Sequence, residues 1–359
     1  MNILQEEIAE KLKKLQSVMR DNKAKETQGV LVKEGSLFAC GETLSMWAKL
    51  SVKEEQSYVL PPAAIKLLDS LSPGMITISG SDSQVEIQAK GIKNTFQTFP
   101  ASRYQLEELL DYKEGMEIPI VRMRDALRCT SACAATSIER AFYTGVLWEA
   151  KDGFLHIVST DGYALAWEKI EFEGSFKFIL PKMTIEKLLE TCEDEKLKIV
   201  KEKQKVVFQT GDYTISSRLL QGEENYLDYT KMVVQGASSA SISKESLALA
   251  ARRALISAED SGIAGFTIQD GCLTLTAQSD VGDYTEKLEL EKGESEISEN
   301  QKWIRLPYLA NVLKAYYYDT VRIGFAKKPP SMQISSPNKD LHMILVLAAP
   351  KAKAEGKAA

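Results

Sequence analysis

His156 and His342 are the only imidazoles in the chain, and neither has neighbours that would make it a catalyst. His156 alternates with Leu155 and Ile157, the pattern of a strand face. No H-E-x-x-H stretch sets two histidines on one helix face for zinc. No glycine-rich phosphate loop and no G-x-S-x-G turn occurs either. Thr160-Asp161-Gly162 offers a hydroxyl and a carboxylate side by side, which is suggestive of a metal or nucleophile site. Asp-Gly is a favoured turn pair, however, and a turn is the reading adopted. The five cysteines (Cys40, Cys129, Cys133, Cys192, Cys272) form no C-x-x-C pair and are odd in number. This argues against a zinc site and a disulfide framework and fits a reducing cytoplasm. Cys129 and Cys133 are four apart in a helical stretch and read as packing residues. The expectation is a protein with no catalytic residues, no metal and no cofactor.

Composition is that of an ordinary globular chain: 359 residues, 44% hydrophobic, 26% charged. That length suits two or three domains. Glu6, Glu7, Lys11, Lys13 and Lys14 give the first residues a charge density unlike a secretion leader. No apolar run approaches a membrane span, so no membrane partner and a cytoplasmic location are expected. The net charge of −5 argues against tight binding driven by phosphate neutralisation.

The elements that would position any site come in threes. Gly29-Val30-Leu31-Val32 leads to Gly35-Ser36-Leu37, Gly145-Val146-Leu147-Trp148 to Gly153-Phe154-Leu155, and Gly265-Phe266-Thr267-Ile268 to Gly271-Cys272-Leu273. Each is a strand, a glycine turn and a second strand. A Leu-Pro marker follows each: Leu60-Pro61, Leu180-Pro181 and Leu306-Pro307, spaced 120 and 126 residues apart. Each opens an apolar helical pattern, with Pro expected in the first helical turn, where its missing N–H is no loss. Alternating strands follow, closing on Thr95–Phe99, Tyr213–Leu219 and Met343–Leu347. An amphipathic helix heads each repeat: Gln5–Met19, Arg122–Ala135 and Lys244–Ala254. So long a period excludes a solenoid. It implies three homologous α+β domains over 1–115, 116–235 and 236–350, with 351–359 a disordered, Lys-rich tail.

Three repeats of this size and order resemble the β sliding clamp of bacterial DNA polymerase III. Two local stretches agree. Val158-Ser159-Thr160-Asp161-Gly162-Tyr163-Ala164-Leu165-Ala166 is similar to the family's second-domain Ala-Thr-Asp-Gly-His-Arg-Leu-Ala. Ser216-Ser217-Arg218-Leu219-Leu220-Gln221-Gly222, with Tyr226-Leu227-Asp228-Tyr229 after it, is similar to Ser-Arg-Leu-Ile-Asp-Gly and Phe-Pro-Asp-Tyr. The resemblance covers nearly the whole chain.

It implies a DNA clamp fold: helices lining a ring lumen, sheets outside, and two copies joined head to tail around duplex DNA. Such a ring would serve as a processivity factor rather than an enzyme. The implied partners are double-stranded DNA without sequence preference, the DNA polymerase III α subunit, the clamp loader, other proteins carrying a clamp-binding motif, and a second copy. Encirclement reconciles an acidic chain with DNA, since a ring needs only a mildly positive lumen. Candidate DNA contacts are Arg20, Lys23, Arg122, Arg124, Arg128, Lys182, Arg252 and Arg253, with Lys11, Lys14, Lys66, Lys187 and Lys314 as further bases on these helices. Candidate dimer contacts are Phe96, Phe99, Tyr104, Leu255 and Ile256; core packing is the competing reading for all five.

The resemblance places a partner-peptide pocket at Thr160, Gly162, Tyr163, Leu165, Leu227, Lys231, Met232, Tyr308, Ile344, Leu345, Val346 and Leu347. Leu345→Asp is expected to abolish peptide binding there and spare the dimer. This chain departs from the family at Ala164 (commonly Arg), Leu227 (Pro), Arg305 (Asn), Cys40-Gly41-Glu42 (Thr-Asp) and the closing Val346-Leu347-Ala348-Ala349-Pro350. These changes touch partner choice more than ring formation. The alternative is a clamp-like protein-binding module that is not loaded on DNA.

Overall fold

The hairpin turns of the three repeats show how closely the local rules are followed. Glu34, Asp152 and Asp270 have φ of 50°, 53° and 54°, and the glycines after them, Gly35, Gly153 and Gly271, have 71°, 78° and 71°. Two successive residues at positive φ match the right-handed twist of the flanking strands, and glycine takes the second position without a Cβ clash. The same two-residue turn therefore joins Val30–Lys33 (β2) to Ser36–Cys40 (β3), Gly145–Lys151 (β10) to Phe154–Thr160 (β11), and Ile263–Gln269 (β18) to Cys272–Ser279 (β19).

A computed structural model describes residues 1–22, 24, 28–104, 115–192, 196–234, 239–258, 261–280, 282–291 and 299–349, less the side chains of 119–122 and 138. Lys23, the Arg122 side chain and the 351–359 tail lie outside it. The element order repeats three times. The first repeat is β1 (Asn2–Leu4), α1 (Gln5–Asp21), β2, β3, β4 (Leu44–Lys49), β5 (Tyr58–Leu60), α2 (Pro62–Ser70), β6 (Met75–Gly80), β7 (Gln84–Ala89) and β8 (Ile92–Gln97). The second is β9 (Met116–Pro119), α3 (Ile120–Ser131), β10, β11, β12 (Ala164–Glu171), β13 (Phe176–Pro181), α4 (Lys182–Thr191), β14 (Lys196–Lys201), β15 (Lys205–Thr210) and β16 (Tyr213–Arg218). The third is β17 (Ser239–Ser243), α5 (Lys244–Ala258), β18, β19, β20 (Gly282–Glu289), β21 (Glu299–Arg305), α6 (Leu306–Ala315), β22 (Thr320–Lys327), β23 (Pro330–Ser335) and β24 (Leu341–Val346).

Compactness follows the sheets instead of the repeats. One unit is Met1–Val121 with Met183–Leu219, and the other is Arg122–Lys182 with Leu220–Ala359. The first unit holds a four-stranded sheet, β1-β6-β7-β8, and an eight-stranded one, β5-β2-β3-β4-β16-β15-β14-β9. In it, α1 presents Ile8, Leu12, Leu15 and Val18 as one buried stripe at helical spacing. The second unit holds β13-β10-β11-β12-β24-β23-β22-β17 and β20-β19-β18-β21. Its larger core packs α5 and α6 against the sheets through Leu247, Ala251, Ala254, Leu309, Val312 and Leu313. All pairings among the described strands are antiparallel, so one face of each sheet can be buried while the other meets solvent.

Two expectations shift in detail. Pro307 sits in the first turn of α6 as expected, and α2 starts at Pro62 with Pro61 as its cap, but Pro181 ends β13 one residue before α4. The closing strands run one or more residues earlier than read: β8 ends at Gln97, β16 at Arg218 and β24 at Val346.

Candidate functional site

In the second unit, β12 and β24 pair with Ala164 opposite Leu345, Leu165 opposite Ile344, and Trp167 opposite His342. Side chains alternate across a strand. Ala164, Ala166, Met343 and Leu345 therefore join the core beneath the sheet, packed with the helices. Leu165, Trp167, Ile344 and His342 face the other way. The 226–234 segment covers part of that outer face. Tyr226 Oη donates to Val158 O (3.3 Å), Tyr229 Oη to Glu149 Oε2 (2.6 Å), and Gln333 Nε2 to Met232 O (3.2 Å). Beneath it, Tyr143, Leu165, Tyr226, Tyr229 and Ile344 are buried, with Phe142, Leu227, Met232 and Val233 packed against them.

The Thr160-Asp161-Gly162 stretch is a tight turn. Asp161 Oδ1 accepts from the N–H groups of Tyr163 and Ala164, both at 2.8 Å, and Thr160 Oγ1 donates to Ala164 O at 2.7 Å. Gly162 supplies the left-handed residue, at φ 92°. The turn thrusts Tyr163 outward, 56% exposed, while its carbonyl accepts from Val346 N at 2.9 Å. The Tyr163 ring lies 5.9 Å from that of Tyr308, and the Arg305 guanidinium 6.0 Å from the Tyr163 ring. Val346, 43% exposed, extends this patch.

The expected pocket residues thus divide. Gly162, Tyr163, Val346 and Lys231 are exposed; Leu227, Met232, Tyr308 and Leu347 are half-buried; Thr160, Leu165 and Ile344 are floor. Lys231 pairs with Asp228 at 2.9 Å. Leu345 requires a correction. It is 1% exposed on the core face, so Leu345→Asp would put a charge among the helices and test folding, not peptide binding. A run of apolar residues, Met343 to Leu347, carries no polar alternation to reveal which face each one takes.

Sequence reasoning missed the aromatic cluster that fills this face. Trp167 Nε1 donates to His156 Nδ1 (3.0 Å); its ring meets Tyr229 edge-on at 5.0 Å and His342 at 5.3 Å. Burial holds both histidines below the usual imidazole range. Burial also pushes Tyr229 up, reinforced by its bond to Glu149. Burial pushes Glu149 up too, but its bonds to Lys151 and Tyr229 outweigh that and hold it below the usual carboxylate range. The one available signal is Tyr226-Leu227-Asp228-Tyr229, in which a role is expected of Leu227 alone.

Beyond that cluster, a cavity of about 610 Å³ opens on the same face, lined among others by Trp167, Lys169, Val233, Arg322, Gln333 and His342.

The expected basic residues also divide. Arg20, Arg128, Arg252 and Arg253 are exposed, and Arg124 and Lys182 half-buried. Arg253 is clamped through two nitrogens by Glu286, and Arg128 lies 3.7 Å from Asp125. Lys11 is not a surface base: it is buried, 2.5 Å from Asp212. Lys187 is likewise buried and paired with Glu190. Among the dimer candidates, Tyr104 is a core residue. It is 6% exposed, its hydroxyl donates to Gly29 O at 2.9 Å, and it packs on Phe38 and Phe99. Phe96 and Phe99 are half-buried, and Ile256 is 77% exposed on α5 beside half-buried Leu255.

Among the described residues no cluster of His, Cys, Asp or Glu could hold a metal ion, and no helix is long and apolar enough to cross a membrane.

Residues 117–224 match the family described as the DNA polymerase III beta subunit, central domain. The chain is 24% identical over 261 residues to a beta sliding clamp of Bacillus subtilis, covering 69% of this chain and 67% of that one. It is 25% identical over 315 residues to one of Halalkalibacterium halodurans, covering 82% and 81%. Two other relatives, from Chlamydia muridarum and Chlamydia trachomatis, are spanned over 64% and 48% of their lengths. The structure is similar to the crystal structure of the beta subunit from DNA polymerase of Streptococcus pyogenes. The TM-score is 0.87 at 16% identity, over 97% of this chain and 99% of that one. It is equally similar to the DNA polymerase III beta subunit of Pseudomonas aeruginosa, with TM-score 0.87 and 21% identity over 98% and 99%.

Proposed function

Since the chain belongs to the bacterial β sliding clamp family, as a divergent member and a non-catalytic one, we propose that two copies join head to tail into a closed ring around duplex DNA. There the ring tethers the DNA polymerase III α subunit and other motif-bearing partners in the cytoplasm, at the nucleoid, once a clamp loader has placed it. The three sequence repeats, over 1–115, 116–235 and 236–350, act as its domains.

One observation carries this reading. The third strand of each leading group (β4, β12, β20) and the last strand of each repeat (β8, β16, β24) are topological equivalents. Within the chain β4 pairs with β16, and β12 with β24. Among the described strands, that leaves β8 and β20 at sheet edges, both largely exposed. Every other edge strand (β1, β9 and β17; β5, β13 and β21) stands at an edge in all three repeats. An exposed edge invites pairing, and a second copy offers the missing strand to each. Two such junctions close a twofold ring and leave no unpaired partner. Ile256 on α5, with Leu255, Phe96 and Phe99, supplies the apolar contacts; Tyr104 supports that surface from within.

Such a ring holds DNA by topology, so the net charge of −5 is no obstacle. Arg20, Arg124, Arg128, Lys182, Arg252 and Arg253, with Lys23 and Arg122, would give weak, sequence-independent phosphate contacts. Partner peptides would anchor on the Tyr163–Tyr308–Val346 patch, above the floor of Thr160, Leu165 and Ile344.

The neutralised bases, Arg253 with Glu286 above all, favour the second reading, a protein-binding module that does not encircle DNA. Sedimentation equilibrium bears on the ring. The expected mass is twice 39.9 kDa, falling to one copy in Ile256→Glu. A wild-type monomer at micromolar concentration would exclude ring closure between two copies.

A further inference from the structure

The outer face of the β12-β24-β23-β22-β17 sheet carries a second recess, lined in part by Thr230, Val233 and Val234 of the 226–234 segment. Its volume is about 610 Å³, within the range that takes a few side chains. Trp167, Val233 and Val234 form an apolar wall. Lys169, Arg322 and Lys339 supply three cations, and the lining contains no Asp or Glu. We propose that this cavity binds a short acidic peptide, one presenting carboxylates beside one or two apolar side chains.

The electrostatics are one-sided. Arg322 is half-buried, and its Nη2 donates to the neutral Ser239 Oγ at 2.9 Å, while the Glu291 carboxylate on the same face of β22 accepts from Thr320 Oγ1 at 3.1 Å. A partly desolvated guanidinium gains most from an anion that accepts two of its donors at once. Asp340 approaches Lys169 only to 3.9 Å, and its Oδ2 accepts from Asn338 Nδ2 at 2.7 Å. Burial keeps His342 neutral near pH 7, so it walls the cavity without adding charge.

The mixture of walls selects the class. A phosphodiester strand carries a charge on every residue and little that would pack against valines. A peptide can put Leu or Phe on Trp167 and Val233, carboxylates on Arg322 and Lys169, and main-chain groups on the polar side chains of Gln333, Ser335 and Thr230. The Gln333–Met232 bond ties the covering segment to the sheet, and the cavity lining includes none of Tyr163, Tyr308 and Val346, so the two sites are separable.

The test is isothermal titration calorimetry of the full chain, at low salt, with acetyl-Asp-Leu-Asp-Leu-amide and with its acetyl-Asn-Leu-Asn-Leu-amide counterpart. The Asp peptide is expected to bind, and the Asn peptide at least about tenfold more weakly. Binding should weaken as salt rises. It should fall about tenfold in Arg322→Gln and severalfold in the exposed Lys339→Gln, recover in part in Arg322→Lys, and persist in Val346→Asp. Equal binding of the two peptides would overturn the proposal, as would no binding at millimolar concentration, or indifference to both Arg322→Gln and Lys339→Gln. So would displacement of the peptide by inorganic phosphate but not by sodium chloride of equal ionic strength, which would reassign the cavity to phosphate.

Discussion

Trp167 commits its indole N–H to His156 Nδ1, so that nitrogen must be an acceptor and the imidazole neutral. Protonating His156 would break the bond inside a packed aromatic cluster. Both histidines titrate below 6.5 when folded, chiefly through burial. The unfolded chain therefore takes up protons first as pH falls. Stability is full above about pH 6.5 and is lost as pH drops from there towards the folded values. Thermal unfolding followed from pH 8 to 5 should show Tm declining below 6.5, and His156→Gln with His342→Gln should flatten that slope. A wild-type Tm unchanged down to pH 5.5 would contradict the assignment. At the same scale, Tyr163→Ala and Val346→Asp should each weaken a partner peptide by about ten- to a hundredfold, the range of an exposed anchor, with no change in mass. Leu345→Asp should instead destabilise the chain by about 3–5 kcal/mol, because it buries a charge beneath the sheet.

At the scale of elements, β8 and β20, edge strands among the described residues, carry a register as well as an edge. Transferring the β4·β16 register sets Phe96 opposite Tyr284 of the partner copy, and the β12·β24 register sets it opposite Gly282. Both keep the same faces inward. Oxidation of Phe96→Cys combined with Tyr284→Cys, or with Gly282→Cys, is expected to give a covalent dimer on a denaturing gel for one of the two pairs. Failure of both would remove β8 and β20 from the interface.

Elements were the part of this fold most legible in the sequence. Glu34-Gly35, Asp152-Gly153 and Asp270-Gly271 announce two-residue hairpins because few residue types tolerate consecutive positive φ. Ile8, Leu12 and Leu15 announce α1 by spacing alone. The outer patch was legible only in part. Tyr163 follows from its turn, but Leu345 lies in a run apolar at every position, and a shift of one residue reverses its face. Lys11 and Lys187 look like solvated helix bases: Asp212, the partner of Lys11, lies 201 residues away, and although Glu190 stands three residues from Lys187, nothing local reveals that Lys187 is buried. The split of the middle repeat between two compact units was not legible at all, since strand pairings across repeats leave no periodic trace.

For the molecule as a whole, an acidic chain can serve DNA only if geometry replaces affinity. A ring needs only contacts weak enough to slide, because topology keeps it on the duplex. Charge reversal at Arg124, Arg128 and Arg252 together should lower loading on DNA severalfold at low salt, with the dimer mass unchanged. Encirclement is tested most directly by retention on nicked circular DNA after loading by a cognate clamp loader, followed by cutting the circle once. The protein is predicted to stay with the intact circle through a gel-filtration column and to leave within minutes of linearisation. Protein that remains bound to the cut, open-ended DNA, or that never survives filtration on the closed circle, would contradict encirclement.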